Sequence, residues 1–502
     1  MPIAPVRFAF MSNSLLIGDL LRAAAKRDPD REAYVHGEQR ATYEWLDRAA
    51  DGFAATLLQR KIVPGDVIGL LLPSSIDFAA CYLGALRVGA ITSALNLRLG
   101  SREQSSIFSR TRPTLTVLGN ESDRPENIDI GQVLTASDLS DVFATPLTTN
   151  LPRLTADHPT CIVWTSGTTG EPKGAVYDHQ TQAAISRNIG ELTRPGDRRL
   201  VVLPFAHVGY MTRMWDELAN TTTVVLGAEP WSPAETLRIV REESITMATG
   251  VPTQWQLLLE HPDLAITDFS AVRVAGIGAA AIPPELIDRL RTTLGCPFVT
   301  RYTSTEAGLT TSTHTTDPAE VIANTVGKPA AEVELKLINS ESGSECKQGD
   351  VGEVICRSPA MMRGYWQNPE LTATVIDIEG WLHTGDLGYF RADGNLVLVG
   401  RSKEMYIRGG YNIYPVEIEA VLDTHPAISR AAVVGIPDRV LGEIGVAYLV
   451  LEPSATIALD EVRQWCSAQL ANYKAPDRIV IINELPLTPM LKVDKQALIQ
   501  NQ

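Results

Sequence analysis

The sequence predicts an α/β protein with a large N-terminal domain of helix-covered, largely parallel sheets and a small α+β C-terminal domain. Three observations predict it. Apolar runs of strand length recur through the first two-thirds of the chain: Val67–Leu72, Leu115–Leu118, Cys161–Trp164, Leu200–Leu203, Thr223–Leu226 and Val272–Gly276. Helix-like stretches lie between several of them, the alternation that builds parallel sheets. The texture then changes near Gly400, where short strands and one-faced helices follow closely. A chain of 502 residues exceeds what a single core usually serves, so two or more domains are expected.

In chain order, Leu15–Arg27 and Tyr43–Leu58 read as helices, the second with apolar residues at helical spacing. The strand Val67–Leu72 leads into the apolar helix Phe78–Val88. Pro233–Glu243 and Pro284–Leu294 are helices between later strands. Asn395–Val399 and Met405–Ile407 read as strands flanking Gly400-Arg401-Ser402-Lys403-Glu404. Pro415 opens a helix where a missing N–H costs nothing, and Ile418, Val421 and Leu422 share one face. Strands Arg430–Val434, Val446–Leu451 and Arg478–Ile482 and a helix Leu459–Leu470 complete the small domain. The expected division is 1–400 and 401–502, with the boundary at Arg401–Glu404.

Composition narrows the function. With 44 basic against 59 acidic residues the net charge is -15, which disfavours nucleic acid or an anionic membrane as the main partner. The six cysteines are scattered with no CxxC pair, so neither a zinc site nor a disulfide framework is suggested. A reduced, cytoplasmic setting is expected. Arg7, Asn13 and Asp19 interrupt the mildly apolar N-terminus, which lacks the apolar core of a secretion signal. No window approaches a membrane span.

The most informative segment is TSGTTGEPKG, residues 165–174, just after the apolar run ending at Trp164. Gly167 and Gly170 permit the tight turns that aim backbone N–H groups at one anion. Thr165, Ser166, Thr168 and Thr169 add hydroxyl donors, and Lys173 adds a cation that reaches phosphate oxygen. The pattern GxxxxGK[ST] is absent, so this is a different phosphate-binding loop from that of P-loop nucleotidases.

Four further segments follow: Tyr302-Thr303-Ser304-Thr305-Glu306, Gly380-Trp381-Leu382-His383-Thr384-Gly385-Asp386, the Gly400–Glu404 run, and Leu491-Lys492-Val493-Asp494-Lys495. With 165–174, this ordered set resembles the adenylate-forming (AMP-binding) superfamily of acyl-CoA synthetases, luciferases and peptide-synthetase adenylation domains. The resemblance spans about Leu16 to Leu498. It implies a carboxylate–CoA ligase that uses ATP, CoA and Mg²⁺, forming an acyl-adenylate and then a thioester. A separate acyl carrier protein is the alternative acceptor, and a non-catalytic nucleotide- or acyl-binding protein the reading from another class.

The chemistry suits these residues. When a carboxylate attacks the α-phosphorus of ATP, negative charge crowds the transition state, so cations and oriented dipoles are needed rather than a strong base. The resemblance places Thr165–Gly170 and Lys173 on the phosphates, Thr305 on a phosphate, Glu306 on Mg²⁺, and Tyr302 against adenine. It places Asp386 on the ribose hydroxyls, with Arg401 supporting ribose or phosphate. Lys492 is the implied catalytic lysine. Leu491 stands where the family usually has glycine, but Val493, Asp494 and Leu498 match and favour Lys492 over Lys495.

The resemblance further implies a mobile C-terminal domain that turns about Lys403. Gly409 and Gly410 would then let pantetheine pass close to backbone. Arg408 reads equally as a contact to a CoA phosphate or a plain surface charge. His207 matches an aromatic or histidine position of the active site. Its neighbour Val208 stands where amino-acid-activating relatives carry aspartate, so an α-ammonium would lose hydration with no partner. Tyr210, Met211 and Trp255 are expected to line the acyl pocket, with Gly276 and Gly278 leaving space and Thr303 as an intermediate plug or a simple packing residue. A medium-length, branched or cyclic acid is expected.

Overall fold

The computed structural model describes residues 16–165, 171–278, 282, 284–339, 342–488 and 492–500. These form two compact units, 1–230 with 359–372, and 231–358 with 373–502. The expected small domain, 401–502, belongs to the second unit together with 231–358 and 373–400.

The first unit is built on a sheet in the order Gln132–Thr135, Leu115–Leu118, Val67–Leu71, Ile91–Ala94, Pro159–Thr165, Lys173–Asp178. All neighbours are parallel except the last two, which form a hairpin. Its central strands are buried on both faces, which is why they read as unbroken apolar runs. The helix Ile76–Arg87 is largely apolar and buried at every position but Asp77, its start fixed by Ser75 Oγ accepting the Phe78 N–H at 3.1 Å. Strands Arg198–Val201, Thr223–Leu226 and Glu32–His36 also run parallel, with Gln39–Thr42 antiparallel to the last.

In the second unit Met247–Gly250, Val274–Gly278 and Phe298–Ser304 are parallel, and Gly308–Ser312 returns antiparallel to Phe298–Ser304. A four-stranded antiparallel sheet follows: Glu334–Ile338, Gly352–Arg357, Leu382–Phe390, Leu396–Arg401. A last sheet joins Tyr411–Ile413, Tyr406–Arg408, Gly442–Leu451 and Ile428–Asp438, with Arg478–Ile481 parallel to Gly442–Leu451. Helices Pro415–Leu422 and Leu459–Gln469 cover it through a core that includes Ile418, Leu422, Val433, Leu449, Val462 and Cys466. Tyr406 is buried in that core, and a side chain at Gly435 or Gly445 would collide with it.

No described helix is long and apolar enough to cross a membrane. All six cysteines are unpaired, five of them buried.

Candidate active site

In the first unit the hairpin Pro159–Thr165/Lys173–Asp178 puts Thr165 opposite Lys173. Thr165 Oγ1 lies 3.5 Å from the Lys173 carbonyl oxygen, and the Lys173 ammonium sits 5.7 Å from the ring centre of Tyr365. The two ends of the expected phosphate loop are thus held at one hairpin. Ser166, Gly167, Thr168, Thr169 and Gly170 lie outside the described residues. His207 caps the short helix Val208–Met211, its Nδ1 accepting the Gly209 N–H at 3.1 Å.

In the second unit the strands Phe298–Ser304 and Gly308–Ser312 meet at a turn that carries Thr305 and Glu306, both half-buried. Ser304 Oγ fixes this turn by accepting the Ala307 N–H at 3.0 Å. Tyr302, two residues before Ser304 in the same strand, donates its hydroxyl to Asp386 Oδ2 at 2.5 Å. Burial and the adjacent carboxylate both hold this phenol well above its ordinary pKa, so it remains a donor. Tyr302 packs with Leu337, Val354 and Leu396 and is only 7 % exposed. That leaves little ring surface for the expected stacking on adenine; its established contact is with Asp386.

Asp386 is buried and faces Arg401 across paired strands. Arg401 Nε donates to Asp386 Oδ1 at 2.9 Å, and that carboxylate raises the arginine pKa further. The backbone before Asp386 is fixed independently. Gly385 takes a φ of +70°, Thr384 Oγ1 accepts the Asp386 N–H at 3.1 Å, and Glu353 accepts the Gly385 N–H at 3.1 Å. Glu353 also meets His383 Nδ1 at 3.2 Å. Sequence reasoning passes over Glu353, which reads as an ordinary charge in the strand Gly352–Arg357.

The half-buried Lys492 lies within electrostatic reach of this cluster. Burial lowers its pKa and the Arg401 charge lowers it further, while Asp386 and Glu306 pull the other way. Its ammonium forms no ion pair within 4 Å among the described residues. Lys495 is committed elsewhere, 3.1 Å from Glu404 Oε2 and 2.8 Å from Glu419 Oε1.

The AMP-binding enzyme model matches residues 21–366, and the model of the AMP-binding enzyme C-terminal domain matches residues 417–492. The chain belongs to the AMP-binding enzyme family. It is an AMP-forming ligase of the acyl-CoA synthetase type. A similar protein is the 3-[(3aS,4S,7aS)-7a-methyl-1,5-dioxo-octahydro-1H-inden-4-yl]propanoyl:CoA ligase of Rhodococcus jostii, 32% identical over 95% of this chain and 97% of that one. Another is the fatty acid–[acyl-carrier-protein] ligase ScoC of Streptomyces coeruleorubidus, 30% identical over 94% of each. Among solved structures, ATP-bound MatB from Rhodopseudomonas palustris superposes with a TM-score of 0.89 at 26% identity, over 97% of this chain and 99% of that one.

The remaining expected positions of the ligase divide. Lys403 is exposed in the turn that joins Leu396–Arg401 to Tyr406–Arg408. Gly409 and Gly410 have φ of +58° and +88°, so the turn there requires glycine, and a side chain at Gly410 would meet nothing within 4 Å. Arg408 is neither a loose surface charge nor free for phosphate. It forms a two-pronged pair with Asp477, at 2.8 and 2.6 Å, and Asp477 also accepts the Gly445 N–H at 3.2 Å.

Of the expected acyl-pocket residues, Tyr210 and Met211 are core side chains of the first unit. Tyr210 stacks on Phe205 at 3.4 Å between ring centres and shares a 2.8 Å hydrogen bond with Tyr34. In the second unit Trp255 is buried against Phe298 and donates to the Gly276 carbonyl at 3.3 Å. Gly278 does not leave space: a Cβ there would stand 2.5 Å from the Arg301 carbonyl oxygen, so close strand approach explains this glycine. Thr303 is half-buried opposite Leu309.

Proposed function

We propose that this ligase joins a medium-length, branched or cyclic carboxylic acid to CoA through an acyl-adenylate, releasing AMP and pyrophosphate. The observation that carries the reading is the half-buried Lys492 ammonium, unpaired among described residues and set among Arg401, Asp386 and Glu306. Such a cation gains most from an anionic partner that arrives with the reaction. The acid's oxygen attacks the α-phosphorus and pyrophosphate leaves, while Lys492 offsets the charge gathering on the carboxylate and α-phosphate. Thr165, the 166–170 segment and Lys173 serve the outer phosphates, and Thr305 a phosphate oxygen.

Asp386 serves the ribose. Tyr302 and Arg401 each occupy one of its oxygens, and each oxygen retains a second acceptor site for a ribose hydroxyl. Glu306 offers the hard oxygen donor that Mg²⁺ prefers. No cluster of three or more metal-binding side chains exists among the described residues, so the cation would be held largely by phosphate and water, as Mg²⁺ commonly is. When bound it neutralises phosphate charge. His207 and Val208 face the acid's carboxyl end, and Val208 excludes an α-amino group. The bulky, ring-bearing acid named for the Rhodococcus relative supports the acid class.

The C-terminal domain, 401–502, then turns about Lys403 to present Gly409 and Gly410 to pantetheine; Arg408 stays on Asp477. The acceptor is CoA in this reading. The name of the Streptomyces relative supports a second, a phosphopantetheinyl carrier protein. The unpaired cysteines favour a reducing, cytoplasmic setting. The test is pyrophosphate release across acetate, free amino acids, straight-chain, branched and cyclic acids, each with CoA, with a loaded carrier protein, or with neither. Best turnover on a branched or cyclic acid with CoA supports the reading. Preference for acetate or amino acids overturns the acid class, and turnover with the carrier alone overturns the acceptor.

A further inference from the structure

Resting on the ligase reading, we infer that Lys495 is a positioning residue: it fastens the segment carrying Lys492 to Glu404, the neighbour of the hinge position, and so sets Lys492 against the Asp386–Arg401 pair. The segment has its own closure. The Thr488 N–H donates to the Lys492 carbonyl at 2.7 Å, the Lys492 N–H lies 3.3 Å from Thr488 Oγ1, and Val493 bridges Leu487. Two residues on, the Asp494 N–H donates to the Pro486 carbonyl at 2.8 Å, and Asp494 Oδ1 receives the Ala497 N–H at 3.0 Å, opening the helix Lys495–Gln500. These bonds close Thr488 on Lys492 and open the helix, and the rest of the small domain holds that helix through Leu498, whose carbonyl accepts the Tyr448 hydroxyl at 2.9 Å and whose side chain is buried with Ala432 and Val434.

Lys495 adds the charged tie toward the hinge. Its side chain is 20% exposed, and its ammonium sits between Glu404 Oε2 at 3.1 Å and Glu419 Oε1 at 2.8 Å. Burial opposes its charge, but the two carboxylates outweigh that and hold the ammonium protonated. Glu419 Oε1 also accepts the Val433 N–H at 2.7 Å, so this anchor belongs to the domain core. Glu404 lies in the turn after Arg401, with its N–H on the Arg401 carbonyl at 3.1 Å. Arg401 in turn holds Asp386. One short path therefore runs from Lys492 through Lys495 and Glu404 to Arg401 and Asp386. Removing the Lys495 charge takes the shared cation from Glu404 and Glu419, so the segment loses its hold on both.

The variants are Lys495→Met, Lys495→Arg, Glu404→Gln and Lys495→Met with Glu404→Gln, in the full chain. Three readouts are taken: pyrophosphate release with octanoate, thioester formation from synthetic octanoyl-adenylate and CoA, and the rate at which trinitrobenzenesulfonate labels Lys492, mapped by mass spectrometry. Lys495→Met is expected to slow pyrophosphate release by roughly 10- to 100-fold, as a small misplacement of a reacting group does, while thioester formation changes little. Lys492 labelling should rise severalfold, Lys495→Arg should restore both, and the double variant should be no slower than Lys495→Met. Unchanged Lys492 labelling in Lys495→Met, equal loss of both half-reactions, or a double variant slowed by the product of the single effects overturns the inference. Labelling needs no turnover. A wild type inert toward every acid therefore counts against the ligase reading alone, and the labelling still decides Lys495.

Discussion

Replacing Lys492 with alanine separates the two half-reactions. The ammonium is half-buried, with burial and Arg401 both weakening its hold on the proton and Asp386 and Glu306 restoring part of it. Two unit charges about 4 Å apart interact by about 4 kcal/mol at an effective dielectric of about 20, an upper bound for one such contact. Losing a single preorganised contact to developing charge costs roughly 100- to 1000-fold, about 2.7–4 kcal/mol, which agrees with that bound. Lys492→Ala should therefore cut pyrophosphate release by that factor while leaving thioester formation from supplied acyl-adenylate within about threefold. The pH profile adds a second reading. Because the folded-state pKa lies below the ordinary lysine value of 10.5, the active ammonium is lost as pH rises through a point below that value. The alkaline limb of pyrophosphate release should sit there, and move upward in Lys492→Arg. Equal loss of both half-reactions in Lys492→Ala, or an unchanged rate, refutes the assignment.

Lys403→Pro fixes the backbone torsion at the hinge and should leave pyrophosphate release intact while thioester formation collapses; normal rates in both steps place the hinge elsewhere. Thr303→Gly should shift the acid profile toward longer or bulkier acids, and an unchanged profile in the panel removes Thr303 from the pocket. Gly278→Ala should lower stability by about 1–3 kcal/mol in thermal unfolding, because the added Cβ meets the Arg301 carbonyl; a fully stable variant with a narrowed acid range would return Gly278 to the pocket wall. Asp423 is pushed up to about 7, first by burial and then by Glu419. Its folded pKa exceeds its unfolded value, so its stabilising contribution is complete at acid pH and is lost as pH rises through about 7. Wild-type Tm should fall between about pH 4 and pH 7 more than that of Asp423→Asn, and parallel curves would contradict this.

Where burial is two-sided the sequence is an accurate guide. Leu115–Leu118 and Thr223–Leu226 have the same bounds in the structure, as does the one-faced helix Pro284–Leu294. Leu200–Leu203 is displaced, the observed strand being Arg198–Val201, because its first two residues are arginines. Arg199 is buried there paired with Glu217 and hydrogen-bonded to the Gly209 carbonyl, and no apolar pattern announces an ion pair. The strands Gly352–Arg357 and Leu382–Phe390 are antiparallel and mix charged, polar and glycine positions with their buried apolar ones, so their hydrophobic signal is weak. In the site, the motifs locate Asp386, Arg401, Glu306 and Lys492, which the second unit brings into one electrostatic cluster. The partners Glu353, Glu404 and Glu419 stay hidden, since a carboxylate that orients a neighbour looks like any solvated charge until the chain is folded. Arg408 shows the converse: an exposed-looking cation whose partner Asp477 is distant in sequence.

The central claim is that the acid's own oxygen becomes bonded to the α-phosphorus. Supplying a turned-over acid labelled with ¹⁸O in its carboxylate, together with ATP and CoA, and weighing the AMP by mass spectrometry tests this directly. The account predicts one heavy oxygen in each AMP, with the other retained in the acyl thioester. AMP without label, or label appearing in ADP or phosphate, would contradict it.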